Sequence, residues 1–262
     1  MRVLIFGGNG RIARSMTQLM LARSWDVTSI ICSPAQEPGI LALGKGTPGK
    51  VNVLHYDLRD LKASHDATTI LDQVQPTAVV FAAGSFSSVY EIDRDAVKAA
   101  IKAATESKTV TKFLMISFPA SRRKPAPWWD ARDIGDYKSE RNSYPDIGNA
   151  KVQADEYLVS MARARKDRGG PAFQAISLRP TWLTTGRATG KVQLGKTRAL
   201  GQVDIADVAA VAVAMLGRDD VSGWFDLFQG GEGVSEAVDR VVREMVDCIE
   251  GEDVERMYSL AD

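Results

Sequence analysis

Gly7, Gly10 and Ala13 stand three residues apart, directly after the apolar run Val3-Leu4-Ile5-Phe6. Ile12, Met16, Leu19, Met20 and Arg23 follow at mostly helical steps. A strand, a glycine turn and a helix in this order form a cradle for phosphates. A tight turn at Gly7 needs backbone angles that side chains resist. Gly10 lets a pyrophosphate reach the backbone, where the first helical amides and the positive end of the dipole face it. Asn9, Arg11 and Ile12 complete this turn. Ala13 suffices at the third position, which requires only close packing of helix on strand. The spacing is G-x-x-G-x-x-A rather than the commoner G-x-G-x-x-G, and the same turn also occurs as a purely structural strand–helix corner.

Other chemistries find little support. The only histidines, His55 and His65, lack paired-ligand spacing, so no zinc site is expected. There is no G-x-S-x-G nucleophile turn and no lysine-bearing phosphate loop. Ser117 closes an apolar strand, and ligands of open parallel sheets collect at such ends. It either orients a substrate oxygen or is an ordinary strand-end serine.

The elements that must position these residues alternate along the chain. Residues 25–32 read as a second strand, ending at Cys32 and Ser33 where a ribose would lie. An NAD site puts a carboxylate there; its absence leans toward NADP, with Arg11 as a donor to the 2′-phosphate. Residues 33–50 read as a loop with a short helical piece. Residues 51–58 form a third strand whose Asp57 either accepts from an adenine amino group or caps the next turn. Residues 77–84 form a buried strand whose small ending, Ala82-Ala83-Gly84, lets a flat cofactor pass or simply makes a turn. A helix over 93–106 and a strand over 112–118 follow. Residues 119–146 break the rhythm and read as an irregular substrate-side flap, with Arg122, Arg123 and Lys124 more often solvated than functional. A helix runs over 145–166 and a strand over 173–180. Asp204 and Asp207 mark a helix start and read as structural. Residues 224–228 form a strand, and Val234 to Ile249 a strongly amphipathic final helix.

Strand–helix alternation over 262 residues predicts a single α/β domain with a doubly wound parallel sheet. Lys plus Arg and Asp plus Glu both number 33, which argues against a general nucleic-acid or membrane-surface binder. Two cysteines suggest no disulfide framework. No membrane-span-length run is present, and the first strand begins at the N-terminus without room for a signal peptide. A cytoplasmic setting and an unspecified oligomeric state follow as expectations.

The ordered set Gly7-x-x-Gly10-x-x-Ala13, Asp57-Leu58, Ala82-Ala83-Gly84, Ser117, Ala150-Lys151 with Ala154 to Leu158, Arg179-Pro180 and Asp207-Val208-Ala209 resembles the short-chain dehydrogenase/reductase superfamily, in its atypical NmrA-like branch. The resemblance spans residues 3 to about 210; the remainder looks like fungal NAD(P)-binding proteins. It implies a Rossmann-like fold over 1–262, with 1–185 as the dinucleotide-binding core and 119–146 with 186–262 as substrate-side flap and small C-terminal lobe. It further implies NAD(P) held by the glycine turn, Cys32, Ser33, Asp57, Leu58, residues 82–84, Lys151 and Pro180. The superfamily's redox pair is Tyr-x-x-x-Lys, in which the cation lowers the tyrosine pKa. Lys151 fits the lysine, but Ile147 stands four residues before it. Tyr144 is seven before, about 10 Å along a helix. Related proteins also carry a basic residue where Cys32 stands.

Three functions remain open. One is an NADP(H)-dependent oxidoreductase acting on a small hydrophobic molecule, with Lys151, Ser117 and Tyr144 as catalytic candidates. The second is a non-redox isomerase, cyclase or dehydratase of a biosynthetic pathway, favoured by the missing tyrosine. The third is an NADP-sensing regulator, since fold does not decide among them.

Overall fold

The computed structural model describes residues 1–261. In chain order it contains β1 (Arg2–Phe6), α1 (Arg11–Ala22), β2 (Asp26–Ile31), α2 (Glu37–Leu41), β3 (Val51–His55), α3 (Ser64–Val74) and β4 (Ala78–Phe81). A π-helical turn, Glu91–Ala96, leads into α4 (Val97–Glu106), followed by β5 (Lys112–Ile116), α5 (Ala131–Ser143), α6 (Pro145–Asp167) and β6 (Gln174–Pro180). The remainder comprises β7 (Trp182–Thr184), β8 (Lys191–Leu194), β9 (Gln202–Asp204), α7 (Ile205–Leu216), β10 (Gly223–Gln229), β11 (Glu232–Gly233), α8 (Val234–Arg243) and α9 (Val254–Tyr258).

The main sheet runs β3-β2-β1-β4-β5-β6-β10-β8-β11. Its first seven strands are parallel; β8 and β11 add an antiparallel edge. Chain direction across the sheet reverses between β1 and β4, and ligands of such sheets bind in the crevice above that reversal. Period-2 alternation divides each strand between two cores. Val3 and Ile5 face the layer of α1, α7 and α8, while Leu4 and Phe6 face the layer of α3, α4 and α6. Burial on both faces explains why these strands read as unbroken apolar runs.

Three expectations change. Within the segment expected to be irregular, Ala131–Ser143 is a helix. Asp130 caps it by accepting from the Asp133 amide at 2.9 Å. The apolar pattern is thin because α5 sits on a small cluster through Ile134 and Tyr137 alone. Second, the final amphipathic helix stops at Arg243. Met245 takes a left-handed conformation (φ +50°). Val246 and Met245 amides then donate to the Val241 and Val242 carbonyls at 2.9 and 3.1 Å, a Schellman ending built without glycine. Third, much of the stretch after residue 186 expected as a substrate-side lobe also extends the sheet: β8, β10 and β11 are strands of it, with α7 and α8 packed on one face. On the substrate side remain the parallel pair β7–β9 and the connections around it. Among the described residues, no helix is long and apolar enough to cross a membrane.

Candidate dinucleotide and substrate cleft

The glycine turn is shaped by three separate demands. Gly7 has φ +81°, and a Cβ there would meet the Cα, Cβ and N of Ala83 at 2.8 Å, so both angle and space require glycine. Gly8 donates to the Ile30 carbonyl at 2.8 Å and would put a Cβ 2.4 Å from that of Ser29. It locks β1 to β2, a role the spacing alone does not reveal. Gly10 has an ordinary backbone (φ −61°) and closes the turn by donating to the Gly7 carbonyl at 2.9 Å. It caps the 12-residue α1 with no side chain, and the first turn holds no acidic residue. The opening amides of α1 and its dipole are therefore available to an anion. Ala13 is fully buried under the sheet, as close helix packing requires.

On one side of this turn lies a cavity of about 490 Å³, walled by Cys32, Gln36, Asp57, Leu58, Arg59 and the Ala82–Ser88 loop. Asp57 both caps a helical turn and grips a neighbour: its Oδ1 accepts from the Arg59 amide at 3.0 Å, and the Arg59 guanidinium forks onto the carboxylate. Those hydrogen bonds hold its carboxyl down to about 2. Cys32 lines this cavity; Ser33, next in the chain, does not. Arg11 does not line it either. It borders the neighbouring cavity, and the arginine that lines the first cavity with Cys32 is Arg59.

The second cavity, about 460 Å³, shares Ala82 to Ser85 with the first, so the two adjoin as a trough across the strand ends. Ile12, Ser117, Tyr144, Lys151 and Pro180 all border it. So do Asp93, Glu140 and Trp182, which carried no sequence signal. Lys151 Nζ lies 2.8 Å from Asp93 Oδ1 and donates to the Ile116 carbonyl at 3.2 Å. Ile147 borders the cavity from the preceding turn of α6. Tyr144 is the joint between α5 and α6 and packs edge-on against Trp182, with centroids 5.6 Å apart. Burial raises the Glu140 carboxyl, opposed by a hydrogen bond from the Trp182 side chain. Ser117 is almost fully buried and donates its proton to Asp155 Oδ2 at 2.6 Å.

That bond belongs to a buried network beneath the cleft. Asp155 also accepts from Ser121, Ser177 and Arg179, at 2.6, 2.6 and 2.9 Å. Arg179 donates its Nε to Asp226 at 2.9 Å, with all three charged groups inaccessible. Burial pushes the Asp226 carboxyl up to about 6 against the pull of Arg179. Of the basic run after Ser121, Arg122 departs from its expected solvation, while Arg123 and Lys124 are exposed. Arg122 is fully buried and donates to the carbonyls of Cys248 and Glu250. Arg123 forks onto Glu156 at 2.8 Å, which also receives Arg256. Their acceptors come from the distant C-terminal segment and from α6, beyond the reach of local sequence pattern. Asp204 caps α7 through the Ala206 amide, and Asp207 accepts from the Thr189 and Gly190 amides. Both are structural, as their positions suggest.

A doubly wound sheet with an uncapped helix start at its reversal, opening into a long trough, defines a Rossmann dinucleotide-binding protein. The profile of the NAD(P)H-binding family matches residues 7–219, and the chain belongs to that family. In three dimensions it is similar to the oxidoreductase ylbE from Lactococcus lactis, with a TM-score of 0.71, 18% identity, and coverage of 93% of this chain and 97% of that one. The anaerobillin reductase ChuY from Escherichia coli O157:H7 aligns with a TM-score of 0.63, at 18% identity, over 87% and 97% of the two chains. The methylglyoxal/isovaleraldehyde reductase Gre2 of yeast, complexed with NADPH, aligns with a TM-score of 0.59, at 15% identity, over 85% and 76%. Identities this low establish a shared fold. No curated protein matches the sequence.

Proposed function

We propose that the protein is an NADP(H)-dependent oxidoreductase, of the atypical NmrA-like kind, that reduces a small, largely apolar, conjugated substrate. The single observation behind this is the pair of cavities that adjoin at Ala82 to Ser85. One cavity suits the adenosine half, the start of α1 suits the pyrophosphate, and the second cavity suits the nicotinamide and substrate together. Of eight large hydrophobic side chains exposed among the described residues, Phe86, Trp182, Leu183 and Leu200 all border that second cavity. Clustered exposed apolar groups mark binding surfaces.

A bound nicotinamide nucleotide supplies the hydride. Lys151 would hold the ribose beside it. With Ile147 in place of the tyrosine, the proton must come from elsewhere; Ser117 borders the cavity but gives its proton to Asp155, which leaves Tyr144 and Glu140 as candidates. Glu140 is kept closer to its neutral, donating form by burial. Reduction of an activated alkene, whose proton is taken up at carbon after hydride addition, tolerates the missing tyrosine better than reduction of a ketone. At the adenosine end Cys32 and Ser33, rather than a carboxylate, directly follow β2, and Arg59 neutralises Asp57 there. Both features suit a 2′-phosphate.

A second reading, a non-redox isomerase or dehydratase using the same cleft, is favoured by the engagement of the Ser117 proton with Asp155 and by Ile147. Titration with NADPH and NADH, followed by thermal shift and by energy transfer from tryptophan, separates the two. NADPH binding in preference to NADH, lost in Arg59→Gln, followed by NADPH oxidation with an enal such as cinnamaldehyde, supports the reductase. Binding of neither nucleotide would refute it.

A further inference from the structure

The second cavity contains a carboxylate that family membership does not assign. Asp93 is 3% exposed. It sits in the π-helical turn Glu91–Ala96, a backbone irregularity common at functional sites. Its two oxygens face two different elements. Oδ1 is 2.8 Å from Lys151 Nζ on α6. Oδ2 accepts from the Ser85 amide at 2.9 Å, on the loop shared by both cavities. Gly84 allows the approach: a Cβ on it would lie 3.1 Å from Asp93 Oδ1. The loop is held further by Ser85 Oγ, which accepts from the amides of Ser87 and Ser88.

We infer that Asp93 is a positioning residue: it fastens Lys151 and the Ala82–Ser88 loop into one unit that grips the nicotinamide half of the nucleotide. This rests on the assignment of Lys151 to the ribose. An ammonium carries three N–H donors. Asp93 and the Ile116 carbonyl engage two, which aims the third at the cavity that Lys151 borders. Without the carboxylate, a largely buried ammonium would lack its counter-charge, at a cost in free energy, and would turn toward water. Neither Lys151 nor Asp93 lines the adenosine cavity, although the loop that Asp93 holds walls both cavities, so the nicotinamide half should respond much more strongly than the adenosine half.

Asn at position 93 preserves the shape but offers one acceptor oxygen, which can serve Lys151 or Ser85 and not both. The experiment measures binding by calorimetry for wild type, Asp93→Asn, Lys151→Met and the double variant. The probes are NADPH and 2′,5′-ADP, a fragment confined to the adenosine half; NADH and ADP replace them if wild type prefers NADH. Each single variant should weaken NADPH about tenfold, as for loss of one charged hydrogen bond. The double variant should weaken it no further, because the two residues act as a unit. Binding of 2′,5′-ADP should stay within about twofold throughout, which also reports an intact fold. Wild-type NADPH affinity in Asp93→Asn, multiplying losses in the double variant, or equal weakening of both probes would overturn the positioning role while leaving the Lys151 assignment standing. Unchanged NADPH affinity in Lys151→Met, or no nucleotide binding by wild type, would overturn both.

Discussion

Two glycines three residues apart should fail in opposite ways. At Gly7, φ is +81°, and a left-handed backbone costs a residue with a side chain about 1–2 kcal/mol. The added Cβ also lands 2.8 Å from three atoms of Ala83, and overpacking of that kind costs about 1–3 kcal/mol. Gly7→Ala should therefore lose about 2–5 kcal/mol, a large share of the stability of a domain. At Gly10 the angles (φ −61°, ψ 151°) suit valine. The nearest atom to a new Cβ is the Gly7 carbonyl oxygen at 3.2 Å, relieved by a shift of a few tenths of an ångström. Gly10→Val should stay within about 1 kcal/mol of wild type in urea melts, helped by a less flexible unfolded chain. Its methyls, however, stand where a pyrophosphate must approach. At a NADPH concentration of 100 times Kd, wild type gains about 2.7 kcal/mol from binding; Gly10→Val should gain none. Wild-type NADPH affinity in Gly10→Val would refute the assignment of the cofactor to this turn. A wild-type melt for Gly7→Ala would refute the steric account.

Other outcomes follow from the buried charges and the cleft rim. Asp155→Asn should cost about 3–5 kcal/mol in urea unfolding, the usual penalty for breaking a buried ion pair, whereas Asp226→Asn should cost less, since Asp226 Oδ2 has no partner among the described residues. With the Asp226 carboxyl raised from 3.8 to about 6 in the fold, its contribution makes wild type lose stability as pH rises from about 4 through 6; Asp226→Asn should remove that decline from a pH series of melts. Asp57 has the opposite sign: its pairing stabilises the fold above its ordinary value of 3.8 and is lost as pH falls through about 2. Carbon NMR should place its midpoint near 2, and Arg59→Gln should return it toward 3.8. Lys112 donates to the Leu216 carbonyl at 3.0 Å at the end of α7 and pairs with Asp219, so Lys112→Met should lower stability by about 1.5–3 kcal/mol.

The central strands and the glycine turn were legible because their signals are local. Apolar runs such as Val3–Phe6 and Ala78–Phe81 are buried on both faces, and α1 and α6 carry their own periodicity. What escaped depends on distant partners. The α5 helix presents charge on most of its surface, so Asp130 was its main local mark. Strands β7 and β9, three residues each, hold each other only after the chain has turned between them. Arg122 resembles a solvated arginine until its acceptors on Cys248 and Glu250 arrive from the other end of the chain. The trough was anticipated at its glycine end, but Asp93, Glu140 and Trp182 reach it from a π-helical turn, a weakly patterned helix and a three-residue strand.

The Arg179 network also bears on how the molecule assembles. Its three charges come from α6, β6 and β10, and the last is added only after β7, β8, β9 and α7 have been traversed. A partly folded form with the first six strands paired would hold Arg179 and Asp155 together but leave the place of Asp226 empty. In addition, Arg122 would be without its carbonyl acceptors from 248–250. Such a form would lack one counter-charge of Arg179 and the acceptors of Arg122, and should not accumulate. The nucleotide-binding half and the C-terminal strands should then unfold in one cooperative transition in urea, even though the glycine turn and β10 lie more than two hundred residues apart in sequence.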